Sequence, residues 1–201
     1  MIRSALPVLL VGVLGVLGLG GATDGFRVFT SEQARRLEVV RQPKAPPPVV
    51  LEDQDGRRFQ LSDYAGRVVL VDFVYTLCRS LCRVAGAQLQ PLARSLAQEG
   101  LANEAMLVTI SFDPVRDTPA VLRAHAQKLG ADTAHWRFAR PADPAQMPAL
   151  LKAFGIVVLA DGNGEFQHNG AVHLLARDGR LRAIYDYEAR DEIVRGARAG
   201  S

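Results

Sequence analysis

Cysteine is the scarcest functional resource of this 201-residue chain, which holds two, Cys78 and Cys82. Neither lies near the end of the apolar N-terminal stretch, which argues against a lipid-modified N-terminus. Lysine is almost as rare, being confined to Lys44, Lys128 and Lys152, so the net charge of +3 rests on arginines scattered along the chain. Without a clustered basic patch, the sequence pI of about 9.1 does not point to a nucleic-acid partner. Charge of either sign is missing from Ala5 to Ala22, where Leu, Val and Gly dominate. What is present in quantity is apolar: 48% hydrophobic against 22% charged residues is enough for a real core, and the length allows one domain with appendages.

Within the N-terminal segment 1–22, the uncharged stretch from Ala5 to Ala22 is at the short end of what spans a bilayer. Arg3 precedes it and Asp24 follows, so the positive end should stay in the cytoplasm while the remainder crosses. Two readings stay open: an uncleaved transmembrane anchor, or a signal segment with Gly20 and Ala22 as small residues for cleavage. The first places an inner-membrane-anchored domain in the periplasm, and the second releases a secreted soluble form. Residues 23–48 read as a juxtamembrane linker with a short helix capped by Thr30 or Ser31, ended by the prolines of 43–48. The folded domain is expected over 49–201.

Within that domain the stretch VVLVDFVYTLCRSLC, residues 68–82, organises the rest. Residues 68–75 have the composition of a central strand buried on both faces. After Thr76 the apolar residues Leu81, Val84, Ala85, Leu89, Leu92 and Leu96 recur at helical spacing. Cys78 and Cys82 therefore sit where a strand ends and a helix begins. A helix N-terminus favours the thiolate over the thiol, and Arg79 and Arg83 add positive charge nearby. Four helical residues rise about 6 Å, within the usual disulfide Cα separation of about 4.4–6.8 Å, so the pair could oxidise or close on one soft metal. Two thiolates on one face suit Cu(I), and a nearby imidazole would extend the site to Cu(II). The plainer alternative is a pair of small buried residues.

Elsewhere, Asp55-Gly56 and Asp178-Gly179 signal two hairpins, the first flanked by 49–53 and 57–61, the second by 171–176 and 180–187. The helix beginning near Arg79 should reach Gln98 before Gly100, with Pro91 kinking or shortening it. Residues 105–112 read as a second buried strand, parallel to the first through a right-handed crossover. Thr118-Pro119 starts a helix, Trp136 a short strand, and Asp143-Pro144 a helix ended by Gly155. A short polar helix begins near Arg190. The expectation is an α/β domain with a mixed central sheet flanked by helices and an N-terminal β-hairpin.

Asp113 closes the second buried strand at the edge where parallel sheets place their sites, so it reads either as support for the thiols or as a turn carboxylate. Asp72, inside the central strand, reads either as the partner of an arginine, the plainer expectation, or as a carboxylate placed to influence the thiols. Among the histidines, His125 and His135 read as surface or packing residues and His173 as a hydrogen-bonded core residue. His168, in a loop-like context, has a modest advantage as a third ligand. Met106 and Met147 read as packing residues, and no Met-rich segment suggests further copper sites.

Three stretches, VDFVYTLCRSLC at 71–82, TISFDPVRDTP at 109–119 and HNGAVHLLARDGRL at 168–181, resemble the Sco/SenC family of membrane-anchored copper proteins. The similarity runs from about Ser31 to Tyr187 and implies a thioredoxin-like fold. It places the family's CxxxC on Cys78 and Cys82 and its single ligand histidine on His168, while His173 falls on an aromatic position. Departures are Arg79-Ser80-Leu81 and Arg83 in place of proline and an acidic residue, Gln167 and Asn169 before the last hairpin, and a short C-terminal helix. The resemblance implies a copper chaperone that helps assemble the dinuclear copper site of cytochrome c oxidase. Its implied partners are the copper-acceptor subunit of a haem–copper oxidase, a periplasmic copper donor and a thiol reductant. The alternative is a thiol–disulfide oxidoreductase that keeps oxidase-subunit cysteines reduced, with Cys78 attacking and Cys82 resolving.

Overall fold

The computed structural model describes residues 5–23, 25, 30–77, 81–162 and 165–200, without the side chains of 5–9, 22 and 81–85. It divides into two units, 1–41 and 42–201.

The first unit holds helices α1 (Ala5–Ala22) and α2 (Ser31–Arg41). Where a linker is expected, α2 runs to Arg41, beyond the short helix anticipated there. None of its residues is buried, so local interactions account for it. The Gln33 N–H donates to the Thr30 hydroxyl at 3.1 Å, and Glu32 pairs with Arg35 at 2.7 Å and Arg36 at 2.9 Å. Along α1, Leu10, Val11, Leu14, Leu17 and Leu19 are exposed. Among the described residues no helix is long and apolar enough to cross a membrane.

In the second unit the two buried apolar runs form β3 (Val68–Val74) and β4 (Ala105–Ser111), with every residue of both strands buried. They pair in parallel from Val68↔Ala105 to Val74↔Ser111. β5 (Trp136–Pro141) continues the parallel set beside β4. The first hairpin, β1 (Leu51–Asp53) and β2 (Arg58–Phe59), adds antiparallel to β5, and the last, β8 (Val172–Leu175) and β9 (Leu181–Tyr185), adds antiparallel to β3. The order β2-β1-β5-β4-β3-β8-β9 makes a seven-stranded sheet, mixed in direction as expected from the sequence.

Side-chain alternation divides each strand between two faces. One face carries Val68 and Leu70, Leu107, Trp136 and Phe138, with Val172 and Leu174. It is covered by α3 (Leu81–Gln98), α4 (Pro119–Lys128) and α6 (Arg190–Ala199) through Leu89, Leu92, Leu96, Leu122 and Ile193. α3 runs through Pro91 to Gln98, the C-terminal limit expected from the sequence, so the proline does not shorten it. Burial of its neighbours Leu89 and Leu92, both 2% exposed, offsets the cost of about 3 kcal/mol for an interior proline. The other face carries Phe73 and His173, which meet Phe154 of α5 (Met147–Phe154) at ring distances of 5.1 and 5.3 Å.

One element is absent from the sequence reading. Val158–Ala160 (β6) pairs with Phe166–His168 (β7) as a separate two-stranded ribbon, so His168 ends a strand rather than sitting in a loop.

Candidate functional site

The carboxyl ends of β3 and β4 lie side by side, and the chain leaves β3 through Tyr75, Thr76 and Leu77 toward the cysteines. Cys78, Arg79 and Ser80 lie outside the described residues. Cys82 falls in the first turn of α3, as the helical spacing predicts, and its side chain and that of Arg83 are likewise outside the description.

Asp117, which the sequence reading passed over, organises this edge. It is 1% exposed and gathers three donors: the Thr76 N–H at 3.0 Å, the Thr76 hydroxyl at 2.5 Å and the Ser111 hydroxyl at 2.5 Å. Charge-assisted bonds of this kind are about twice as strong as neutral ones. They tie Thr76, two residues before Cys78, to Ser111 at the end of β4. The turn after β4 is held further by Arg140, which donates to the Pro114 carbonyl at 2.5 Å while pairing with Glu52 at 2.8 Å. A signal was available in the second quoted motif, where an acidic residue stands directly before the Thr-Pro helix start; burial of that carboxylate was not legible.

Asp113 sits at the expected edge, and its carboxylate pairs with Arg116. Arg116 in turn lies over the ring of Phe166 at 5.5 Å. That arrangement makes Asp113 a turn residue which braces the arginine above the β6–β7 ribbon.

Among the described residues Asp72 pairs with no arginine. It is fully buried and accepts from the Thr109 hydroxyl at 2.6 Å, while the Trp136 indole N–H donates to the Thr109 oxygen at 2.8 Å. Its Oδ2 has no partner among the described residues. Burial pushes its carboxyl up to about 7, against which the Thr109 bond acts only partly. By strand alternation Asp72 faces the side covered by α3, six residues before Cys78.

His168 arrives from the opposite face. Its ring packs edge-on against Phe112, the residue after β4, at 5.0 Å. Tyr75, Phe112 and Phe166 form a three-ring cluster beneath it, at 5.2 to 5.8 Å. The ribbon's base is fixed by Asn169, whose Oδ1 accepts from the Val157 N–H at 2.7 Å and whose Nδ2 donates to the Gly155 carbonyl at 3.0 Å. His168 Nδ1 faces the Asn169 carbonyl at 3.4 Å, and Nε2 is buried with no hydrogen-bond partner among the described residues. Burial holds the imidazole below its ordinary pKa, which keeps it neutral with a lone pair free on Nε2. A neutral imidazole with one nitrogen steered by a carbonyl and the other left open has the form of a metal ligand, so this residue fits the copper that the sequence implies.

The remaining histidines behave as read. His173 is fully buried, with Nδ1 3.2 Å from the Val71 carbonyl; His125 packs on Phe138 at 5.8 Å; His135 meets Asp132 at 2.8 Å. Among the described residues no group of three His, Cys, Asp or Glu could hold a metal.

Residues 41–198 match the SCO1/SenC family model. The chain belongs to the SCO1/SenC family. Its match to the SCO1 protein homolog of Bacillus subtilis is 25% identical and covers 77% of this chain and 81% of that protein. Among solved structures, a SCO1/SenC family lipoprotein from Bacillus anthracis superposes with a TM-score of 0.72 at 25% identity, covering 80% of this chain and 98% of that one. ScoI of Bradyrhizobium japonicum, solved with copper bound, superposes at 0.67 and 22% identity over 79% of this chain and 100% of that one. BsSco, of the Sco family of cytochrome c oxidase assembly proteins, superposes at 0.70 and 23% identity over 79% of this chain and 94% of that one, and a disulfide switch has been identified in it. The SCO1/SenC fold is thus the mixed, thioredoxin-like sheet described above.

Proposed function

We propose that this protein carries copper on Cys78, Cys82 and His168 and passes it to the copper-acceptor subunit of a haem–copper oxidase during assembly. The observation that carries the reading is the open Nε2 of His168, buried beside Phe112 where β4 ends, in a family with copper-bound members. Two thiolates and one neutral nitrogen make a donor set for Cu(I) and, with the imidazole engaged, for Cu(II). In this reading the sulfurs hold the metal and the imidazole completes the site. The histidine, on a short ribbon outside the main sheet, is the ligand that yields first during exchange with the acceptor. Asp113 supports the site through Arg116.

The experiment is anaerobic copper titration of the reduced protein, followed by transfer to a purified acceptor fragment. His168→Ala is expected to weaken Cu(II) by about tenfold or more, one order of magnitude being about 1.4 kcal/mol, and to leave Cu(I) nearly unchanged. Equal curves for that variant and the parent in both oxidation states would remove His168 from the site.

A second reading, favoured by the disulfide switch of BsSco, is a thiol–disulfide oxidoreductase in which Cys78 attacks and Cys82 resolves. Thiol exchange with an oxidised acceptor peptide would then proceed undiminished in His168→Ala. For location we propose an N-terminal anchor with the domain in the periplasm, supported by the exposed leucines of α1. Recovery of the chain in the soluble periplasmic fraction would replace that proposal with the cleaved, secreted form.

A further inference from the structure

We infer that the Tyr75 hydroxyl is the clasp that seats His168, a positioning role that rests on the copper-carrier reading for its functional meaning. Tyr75 is 1% exposed and stands three residues before Cys78. Its oxygen accepts from the Phe166 N–H at 3.1 Å and faces the Phe166 carbonyl, to which it donates, at 3.4 Å. One hydroxyl thus meets both backbone groups of a strand residue 91 positions away. In β7 it takes the place of a neighbouring strand, since among the described residues β7 pairs only with β6.

The location gives this contact its consequence. Phe166 and His168 are two residues apart on one strand and share a face, so the orientation of one backbone sets that of the other. Both rings rest on Phe112, at 5.8 and 5.0 Å, and Asn169 fixes the chain on the far side of His168. Tyr75 and Asn169 therefore bracket the histidine, but only Tyr75 ties it to the strand that leads to the cysteines. The ring contacts of Tyr75 with Phe112 and Phe166 do not require the oxygen, and a phenylalanine at 75 would keep them. What it would lose is the clasp, leaving the Phe166 N–H and C=O without a partner at a partly buried position.

Tyr75→Phe separates the two contributions. In the metal-free protein, amide hydrogen exchange at Phe166 and His168 is expected to speed up by about tenfold, while β3 and β4 amides and the melting transition stay close to the parent. On loading, Cu(II) affinity is expected to fall by about threefold to tenfold with weakened nitrogen hyperfine coupling in the EPR spectrum, and Cu(I) affinity to change by less than about twofold. Unchanged exchange at 166 and 168 would overturn the clasp. Equal losses for Cu(I) and Cu(II) would overturn it too, since they would mark general loosening. Because the exchange measurement uses no copper, a failure of the clasp is told apart from a failure of His168 as ligand, which His168→Ala reports independently. Asn169→Ala serves as the comparison: it should speed exchange at Val157 and leave the Phe166 amide protected.

Discussion

β3 reaches the site as an interior strand of a seven-stranded sheet, all of its residues buried and both edges paired, whereas β7 reaches it as three partly exposed residues of a two-stranded ribbon. The first is held by backbone register along its whole length and then by Asp117, which binds Thr76 just before the cysteines. The second is backbone-paired only to the short β6, and among the described residues it is held to the main sheet by side chains: the Tyr75 hydroxyl and the tilted and edge-on rings of Tyr75, Phe112 and Phe166, with the Asn169 amide fixing the ribbon's base. Free energy of opening differs accordingly, since a ribbon with few buried contacts opens locally while a central strand opens only with the domain. In the proposed metal carrier the chain is led toward the cysteines by the fixed element, and the imidazole stands on the yielding one.

The sharpest way to break that comparison is to remove a sulfur. Cys78→Ser or Cys82→Ser is expected to abolish tight Cu(I) binding, measured by competition against a chromophoric Cu(I) chelator; retention of parental affinity would show that the fixed element does not hold the metal. Next in size comes Asp72. Its carboxyl stands at about 7 in the fold against the ordinary carboxylate value of 3.8, so between those pH values the folded state keeps a proton which the unfolded chain has released. Stability from this group is complete below about 3.8 and is lost as pH rises to about 7, levelling off beyond, a total of about 4 kcal/mol at 1.36 kcal/mol per unit. Urea denaturation between pH 4 and 8 should show that slope in the parent and a nearly flat profile in Asp72→Asn. An identical slope in both would exclude Asp72 as its source.

Asp117→Ala strands the Thr76 N–H and the hydroxyls of Thr76 and Ser111, and should cost about 3 kcal/mol in equilibrium unfolding while loosening the cysteine segment. A loss under about 1 kcal/mol would mean that water replaces the carboxylate and that the fixed element is less fixed than its bonds suggest. The smallest effect belongs to the ribbon. Asn169→Ala removes two hydrogen bonds at a half-exposed site and should cost about 1 kcal/mol or less globally. Local exchange at Val157 should nonetheless rise, and a global loss as large as that of Asp117→Ala would erase the contrast between the two elements.

Where apolar runs, glycine turns and proline caps speak with local periodicity, the chain declared its structure in one dimension. β3, β4, both Asp-Gly hairpins, the Thr118 cap and the strand-to-helix position of Cys82 all follow from neighbours within a few residues, because backbone preference and burial of one face are local or periodic properties. The extent of α2 departed from local expectation because ion pairs with a cap outweighed it. The partners of Asp72, Asp117 and His168 were out of reach for a different reason. Asp72 finds Thr109, Thr76 finds Asp117, and Tyr75 finds Phe166 across 37, 41 and 91 residues, respectively. Such pairings depend on which strands become neighbours and on where water is excluded, and only the assembled sheet settles either.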